Sequence, residues 1–329
     1  MALKVLLYLD YDKQTGMGHI TRSKGFIEAL SVHATEIYIC CKLNPKIHEP
    51  QLEFLNHFNW VTLEEAKLQC FSLIYVDTYD YEFLDEFQNW PANHKVVLVD
   101  SNYFFEIPSW ADFVIDVERT SARNSSFKGE YLFGDIVSNS DLEFSRNAIR
   151  DKLDKKIERK NLAVAVNFGG SLNIRSYIQQ LEKTLLAHKE ISFSIYCPLS
   201  LSQEMNLFFL GLQNVEVKVF TSDYLRELSV YDFLITGSGT SFIEGLFLHI
   251  PLVVFNFFPN ANINFDRFRN NRLVLFSGTG HEVETSWMRN VLKEFNSEKI
   301  LERRKSDFQL GLIIISQFDL NSRLVRMLG

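Results

Sequence analysis

Seven consecutive residues, Gly16-Met17-Gly18-His19-Ile20-Thr21-Arg22, bring two glycines, an imidazole and a guanidinium into one short stretch. Glycines let backbone N–H groups approach an anion closely, and Arg22 adds positive potential. A histidine titrates near neutrality, so His19 in such a loop can move a proton or meet charge beside a phosphate. A phosphate cradle needs no titratable group, which points to chemistry at this position; the bland alternative is a tight turn with a capping histidine. A second candidate is Thr236-Gly237-Ser238-Gly239-Thr240-Ser241. Its small side chains and hydroxyls can hydrogen-bond a diphosphate, and Glu244, one turn further on, can accept from ribose hydroxyls. Gly169-Gly170-Ser171 is a third small-residue turn. Asp77 and Asp100 each follow an apolar run, where they either face a ligand or cap the next turn.

These loops need elements to hold them, and the pattern supplies strand, loop, helix each time. Leu3–Leu9 is an apolar run, Asp10 to Thr15 a polar loop, and Ile20, Phe26, Ile27 and Leu30 then recur at helical spacing. Further short strands are expected at 36–41, 71–76, 95–99, 112–117, 161–168, 193–197, 215–220, 233–236, 252–255 and 273–276. Near-continuous apolar runs separated by helical stretches indicate buried parallel strands, whose carboxyl ends share one edge. Between Gly134 and Lys160 the chain turns charged and helix-like, with a cap-like Ser138-Asn139-Ser140-Asp141. This predicts two α/β domains, residues 1–140 and 141–329, each opening with strand, glycine turn and helix.

The bulk numbers narrow the classes. The chain has 329 residues, 46% of them hydrophobic and 23% charged, as expected of a globular protein without disorder. A net charge of −7 and the absence of a basic block disfavour nucleic acid. The lysines and arginine between Lys152 and Lys160 alternate with Asp151, Asp154 and Glu158, as on a solvated helix face. Four cysteines without CxxC spacing suggest reduced thiols, with neither a disulfide framework nor a metal site. No signal peptide or transmembrane segment is expected, so the chain reads as cytoplasmic, with no cofactor.

Asp10 with Gly16-Met17-Gly18-His19 and Arg22, Gly169-Gly170, and Ser238-Gly239-Thr240-Ser241 with Glu244 together resemble the GT-B sugar-nucleotide enzymes. The nearest likeness is to the UDP-sugar hydrolase family of the pseudaminic acid pathway and the related peptidoglycan N-acetylglucosaminyltransferase family. That resemblance implies two Rossmann-like domains facing across a cleft, with a UDP-sugar as substrate. It implies that Ser238, Gly239, Thr240, Gly170 and Ser171 meet the diphosphate and that Glu244 binds ribose. The turn from Phe220 to Leu225 would lie near uracil, Gly18 against the nucleotide, His19 at the anomeric centre, and Tyr79 and Asn260 near the sugar as further catalytic residues. Asp10, Arg22, Asp77 and Asp100 are the expected substrate contacts. The chain departs from the hydrolase pattern at Tyr8, where an arginine is usual, at Leu172, where an aspartate is usual, and at Ala261, after Asn260. The leading expectation is a hydrolase releasing an amino sugar for nonulosonic acid synthesis. A glycosyltransferase of surface-glycan or capsule assembly is the alternative, and an inactive sugar-nucleotide-binding subunit the third.

Overall fold

Runs that are apolar on both faces suit parallel strands covered by helices on either side. Lys4–Leu9 forms β1 with every residue after Lys4 buried, and Phe71–Asp77 forms β4 with only Ser72 less than buried. The computed structural model describes residues 3–11, 18–33, 36–41, 50–78, 80–99, 108–116, 130–133, 147, 162–169, 174–256, 273–279 and 286–295. Among these, α1 spans Gly18–Ser31, β2 Glu36–Cys40, β3 Asn59–Trp60, α2 Leu63–Lys67 and α3 Tyr81–Leu84. β5 (Ala92–Val99), β6 (Phe113–Asp116) and β7 (Glu130–Phe133) follow. These seven strands form one sheet in the order β3-β2-β1-β4-β5-β6-β7.

A second sheet repeats the plan. It contains β8 (Ala163–Asn167), β9 (Ser192–Cys197), β10 (Val215–Val219), β11 (Phe233–Gly237), β12 (Leu252–Asn256) and β13 (Val274–Thr279). Its order is β10-β9-β8-β11-β12-β13. The intervening helices are α4 (Ile174–Gln180), α5 (Glu182–Ala187), α6 (Leu199–Phe208), α7 (Tyr224–Leu228), α8 (Thr240–Phe247) and α9 (Ser286–Phe295). Every strand pairing described in either sheet is parallel. The chain divides into two compact units, with the main separation between Asn139 and Ser140, and each sheet belongs to one of them. Among the described residues no helix is long and apolar enough to cross a membrane.

Each unit has its own core. Leu6, Tyr8, Ile74, Val76 and Phe87 pack together in the first, and Val166, Phe193, Ile195, Phe233 and Phe255 in the second. Fully burying one such aliphatic or aromatic side chain contributes about 1.5–3 kcal/mol, which is what holds the strand ends in place. All the strands expected from the apolar runs are present, and β3 and β7 add to them. The charged segment from 134 to 160 lies outside the described residues, Asn147 excepted.

Candidate active site

Ligands of open α/β sheets bind outside the carboxyl ends of the strands, at the point where strand order reverses. In the first unit that point lies between β1 and β4, because the chain runs outward through β2 and β3 and then returns to the other side of β1. Leu9 pairs with Asp77 at the last step of the ladder, and the Asp10 N–H donates to the Asp77 carbonyl at 2.8 Å, extending it by one residue. The two carboxylates are thereby fixed on neighbouring strands at one edge. The first turn of α1 brings His19 to the same edge, where its Nδ1 lies 2.5 Å from Asp77 Oδ1. Both side chains are buried, His19 being 2% exposed and Asp77 0%. An ionised carboxylate can only accept, so Nδ1 is the donor in this pair, and the neutral tautomer compatible with it is the one with the lone pair on Nε2.

The surrounding bonds hold this pair. The Ser23 hydroxyl donates to the His19 carbonyl at 2.7 Å and lies 3.4 Å from the Tyr75 hydroxyl. The Thr78 hydroxyl donates to Asp10 Oδ2 at 3.0 Å and accepts from the Asp80 N–H at 3.0 Å. Asp80 in turn accepts from the Phe83 N–H at 3.1 Å and caps α3. The cap of the turn after β4 is therefore Asp80, while Asp77 is committed to His19.

In the second unit the order reverses between β8 and β11. Asn167 ends β8, level with Tyr196 of β9 and Thr236 of β11. Its amide nitrogen donates to Ser241 Oγ at 2.7 Å and to the Tyr224 hydroxyl, and its oxygen accepts from the Gly169 N–H at 2.7 Å. One side chain thus ties together the strand end, the following turn, α7 and the first turn of α8. Gly169 occupies φ +101°, a left-handed turn conformation that disfavours any side chain. Gly239 stands at the N-cap of α8 and has no side chain with which to satisfy the first N–H groups. Ser238, just before it, donates to Asn256 Oδ1 at 3.2 Å. Further along α8, a Cβ on Gly245 would meet Leu252 at 2.5 Å and Leu234 at 3.1 Å, so glycine there allows the helix to lie close on β11 and β12. Burial, and then the charge of Glu244, push the Tyr224 phenol well above its ordinary range.

The expected site residues fall into three groups. Asp10, His19 and Asp77 meet at one edge of the first unit, with Gly18 opening α1 and Arg22 on the same helix. Ser238, Gly239, Thr240 and Glu244 lie in or just before α8, and Leu225 lies on α7. Phe220, before α7, is buried, its ring 5.9 Å from that of Tyr196 and 5.1 Å from that of Tyr224, so the main chain is what it can offer a ligand. Tyr79, Asp100, Gly170, Ser171 and Asn260 lie outside the described residues. Tyr8, where the hydrolases carry arginine, points into the core, its ring 5.0 Å from each of Phe83 and Phe87. Asn167 was not foreseen beside these loops, and Tyr224 only as one residue of the turn from Phe220 to Leu225. The signal for Asn167 is a polar side chain closing the run Ala163–Val166, just before a glycine turn; Tyr224 carries no such signal.

No protein-family model matches the chain, and no curated protein matches it in sequence. Solved structures do match. The calicheamicin glycosyltransferase CalG4 aligns at 12% identity and a TM-score of 0.63, over 100% of this chain and 99% of its own. The spinosyn rhamnosyltransferase SpnG complexed with thymidine diphosphate aligns at 12% identity and 0.63, over 99% and 100%. MurG of Acinetobacter baumannii aligns at 12% identity and 0.57, over 92% and 93%. The likeness is one of fold: the chain has the α/β GT-B fold with Rossmann-like units. The expected nearness to the pseudaminic acid pathway hydrolase finds no support among these proteins.

Proposed function

We propose that this chain is a glycosyltransferase that uses a nucleoside-diphosphate sugar as donor. The observation that carries the reading is the buried pair of His19 and Asp77, assembled at the strand-order reversal of the first unit. In the proposed reaction His19 Nε2 takes the proton of an acceptor hydroxyl while that oxygen forms its bond to C1 of the sugar. The C1–O bond to the diphosphate breaks, and the electron pair leaves with the nucleoside diphosphate. Asp77 holds the imidazole in the tautomer that presents a lone pair and stabilises the imidazolium that forms, more strongly for being out of water. The first unit thus supplies the base, with Asp10, Tyr79, Asp100 and Arg22 as sugar and acceptor contacts. The second holds the nucleotide, its diphosphate on the N–H groups at the start of α8 with Gly170 and Ser171, its ribose on Glu244, and its base beside Phe220 to Leu225. Asn260 is assigned to the sugar. Thymidine diphosphate in the complex of SpnG supports a nucleoside diphosphate as the leaving group.

The same base could instead activate water, as the resemblance to a UDP-sugar hydrolase suggested. Transfer is preferred because the structurally similar proteins carry transferase names. The test is to incubate the chain with UDP- and TDP-sugars and follow nucleotide release with and without a panel of acceptor alcohols. Acceptor-dependent release is the expected result. Release at the same rate without acceptor, with free sugar formed stoichiometrically, would overturn transfer in favour of hydrolysis, and nucleotide binding without turnover would leave only a binding role.

A further inference from the structure

The second unit contains a polar hub that the reaction above does not use. Glu227, on α7 and half-buried, accepts from the Thr221 hydroxyl at 2.6 Å through Oε1 and from the Tyr196 hydroxyl at 2.9 Å through Oε2. The Tyr196 hydroxyl lies 3.1 Å from that of Tyr231. Thr221 Oγ1 also accepts from the Asp223 N–H at 3.2 Å, and the Tyr224 N–H donates to the Thr221 carbonyl at 3.2 Å. Both carboxylate oxygens are thus engaged by hydroxyls from different segments, one on β9 and one on the turn between β10 and α7. Bonds from hydroxyls to a carboxylate are charge-assisted and directional, so they set the shape of the turn as well as its attachment. Phe220 enters this turn with its ring locked between Tyr196 and Tyr224.

The position of the hub gives it a role. β10, β9, β8 and β11 are consecutive in the sheet. At about 4.8 Å per strand, the turn after β10 lies about 14 Å along the carboxyl edge from the start of α8, which suits an extended nucleoside diphosphate whose phosphates rest on that helix. We propose that Glu227 is a positioning residue for nucleobase selection, holding the Phe220–Thr221 turn in the conformation whose main chain meets the edge of the base. This rests on the reading that the second unit holds a nucleoside diphosphate. Glu227 does not touch the ligand; it acts through Thr221, with Tyr196 as the fixed anchor on the other side. A site built to hydrogen-bond one base edge rejects others because wrong partners leave its polar groups unpaired, and that rejection requires a rigid turn.

The experiment measures binding of UDP, TDP, GDP, ADP and inorganic pyrophosphate to the full chain by calorimetry, for wild type, Glu227→Ala, Glu227→Gln and Thr221→Val. The expected result is that Glu227→Ala and Thr221→Val each reduce the preference for the best base over the next best by about tenfold, the scale of one lost hydrogen bond. Pyrophosphate affinity stays unchanged, and Glu227→Gln, which keeps one acceptor oxygen, retains part of the preference. An unaltered preference in both variants, or equal weakening of all five probes, overturns the assignment. Thr221→Val preserves shape, so it decides the matter if Glu227→Ala fails to fold. If wild type binds none of the nucleotides, the proposed function itself fails, an outcome seen before any variant is made.

Discussion

His19 and Asp77 are separated by 58 positions in sequence and by 2.5 Å in space, and their separate substitutions report different things. His19→Ala removes the proposed base, so kcat should fall by at least about 100-fold with the fold retained, as judged by circular dichroism. Asp77→Asn keeps a side chain of the same shape but neither enforces the tautomer nor stabilises the imidazolium. Its expected loss is about 10²- to 10⁴-fold in kcat with KM little changed. Initial rates of nucleotide release check both, and an unchanged kcat in either variant removes that residue from its role. Tyr8 behaves differently, because its hydroxyl is buried and meets no hydrogen-bond partner among the described residues. Tyr8→Phe relieves an unsatisfied polar group without altering the packing against Phe83 and Phe87. It should leave unfolding stability unchanged or raise it by up to about 1 kcal/mol in denaturant titration.

Helix α8 carries the proposed diphosphate contact at one end and an unusual termination at the other. The His249 N–H donates to the Leu246 carbonyl and the Ile250 N–H to the Gly245 carbonyl, the bond pattern of a helix closed by a left-handed residue. That residue is His249, at φ 50°, where glycine is usual. Substitution by Gly and by Ala both delete the buried imidazole, but only Gly relieves the left-handed strain. His249→Gly should therefore be more stable than His249→Ala by about 1 kcal/mol in thermal or denaturant unfolding; equal stabilities would mean the backbone there is unstrained. At this scale much was legible in the sequence, since runs such as Phe71–Val76 have the length and composition of strands buried on both faces. The two strands not foreseen, Asn59–Trp60 and Glu130–Phe133, are too short to show a period. The His19 loop was visible from its glycines, but the commitment of Asp77 to His19 was not. A carboxylate after a strand looks the same whether it caps a turn or faces an imidazole, and only the adjacency of β1 and β4 decides between them.

Over the whole molecule, the buried acids give folding a distinct alkaline response. Burial, followed by the charge of Glu65, pushes the Cys40 thiol up to about 12, and burial raises Cys41, Tyr8 and Tyr196 as well. A thiol in the unfolded chain ionises near pH 8.5 or so, roughly its ordinary value. Below that pH both states hold the proton and stability is level; above it only the unfolded state loses the proton, so stability falls as pH rises toward the folded value. Each buried thiol contributes a slope of about 1.4 kcal/mol per pH unit in that window, and the two tyrosines join only above about pH 10. Unfolding free energies measured between about pH 8 and 11 should decline, and Cys40→Val should make the decline shallower; a flat profile in wild type would contradict the burial of these groups. The parallel strands have one more consequence. They gather Asp10, His19 and Asp77 at the carboxyl edge, while Cys70, exposed and free, stands just before β4 begins at the amino edge. Cys40, Cys41 and Cys197 are buried. A maleimide at neutral pH should modify Cys70 ahead of the other three in the native protein, counted by mass spectrometry, and all four after denaturation. The first unit thereby offers a ready point for a dye or a solid support, at the edge of the sheet opposite His19 and Asp77.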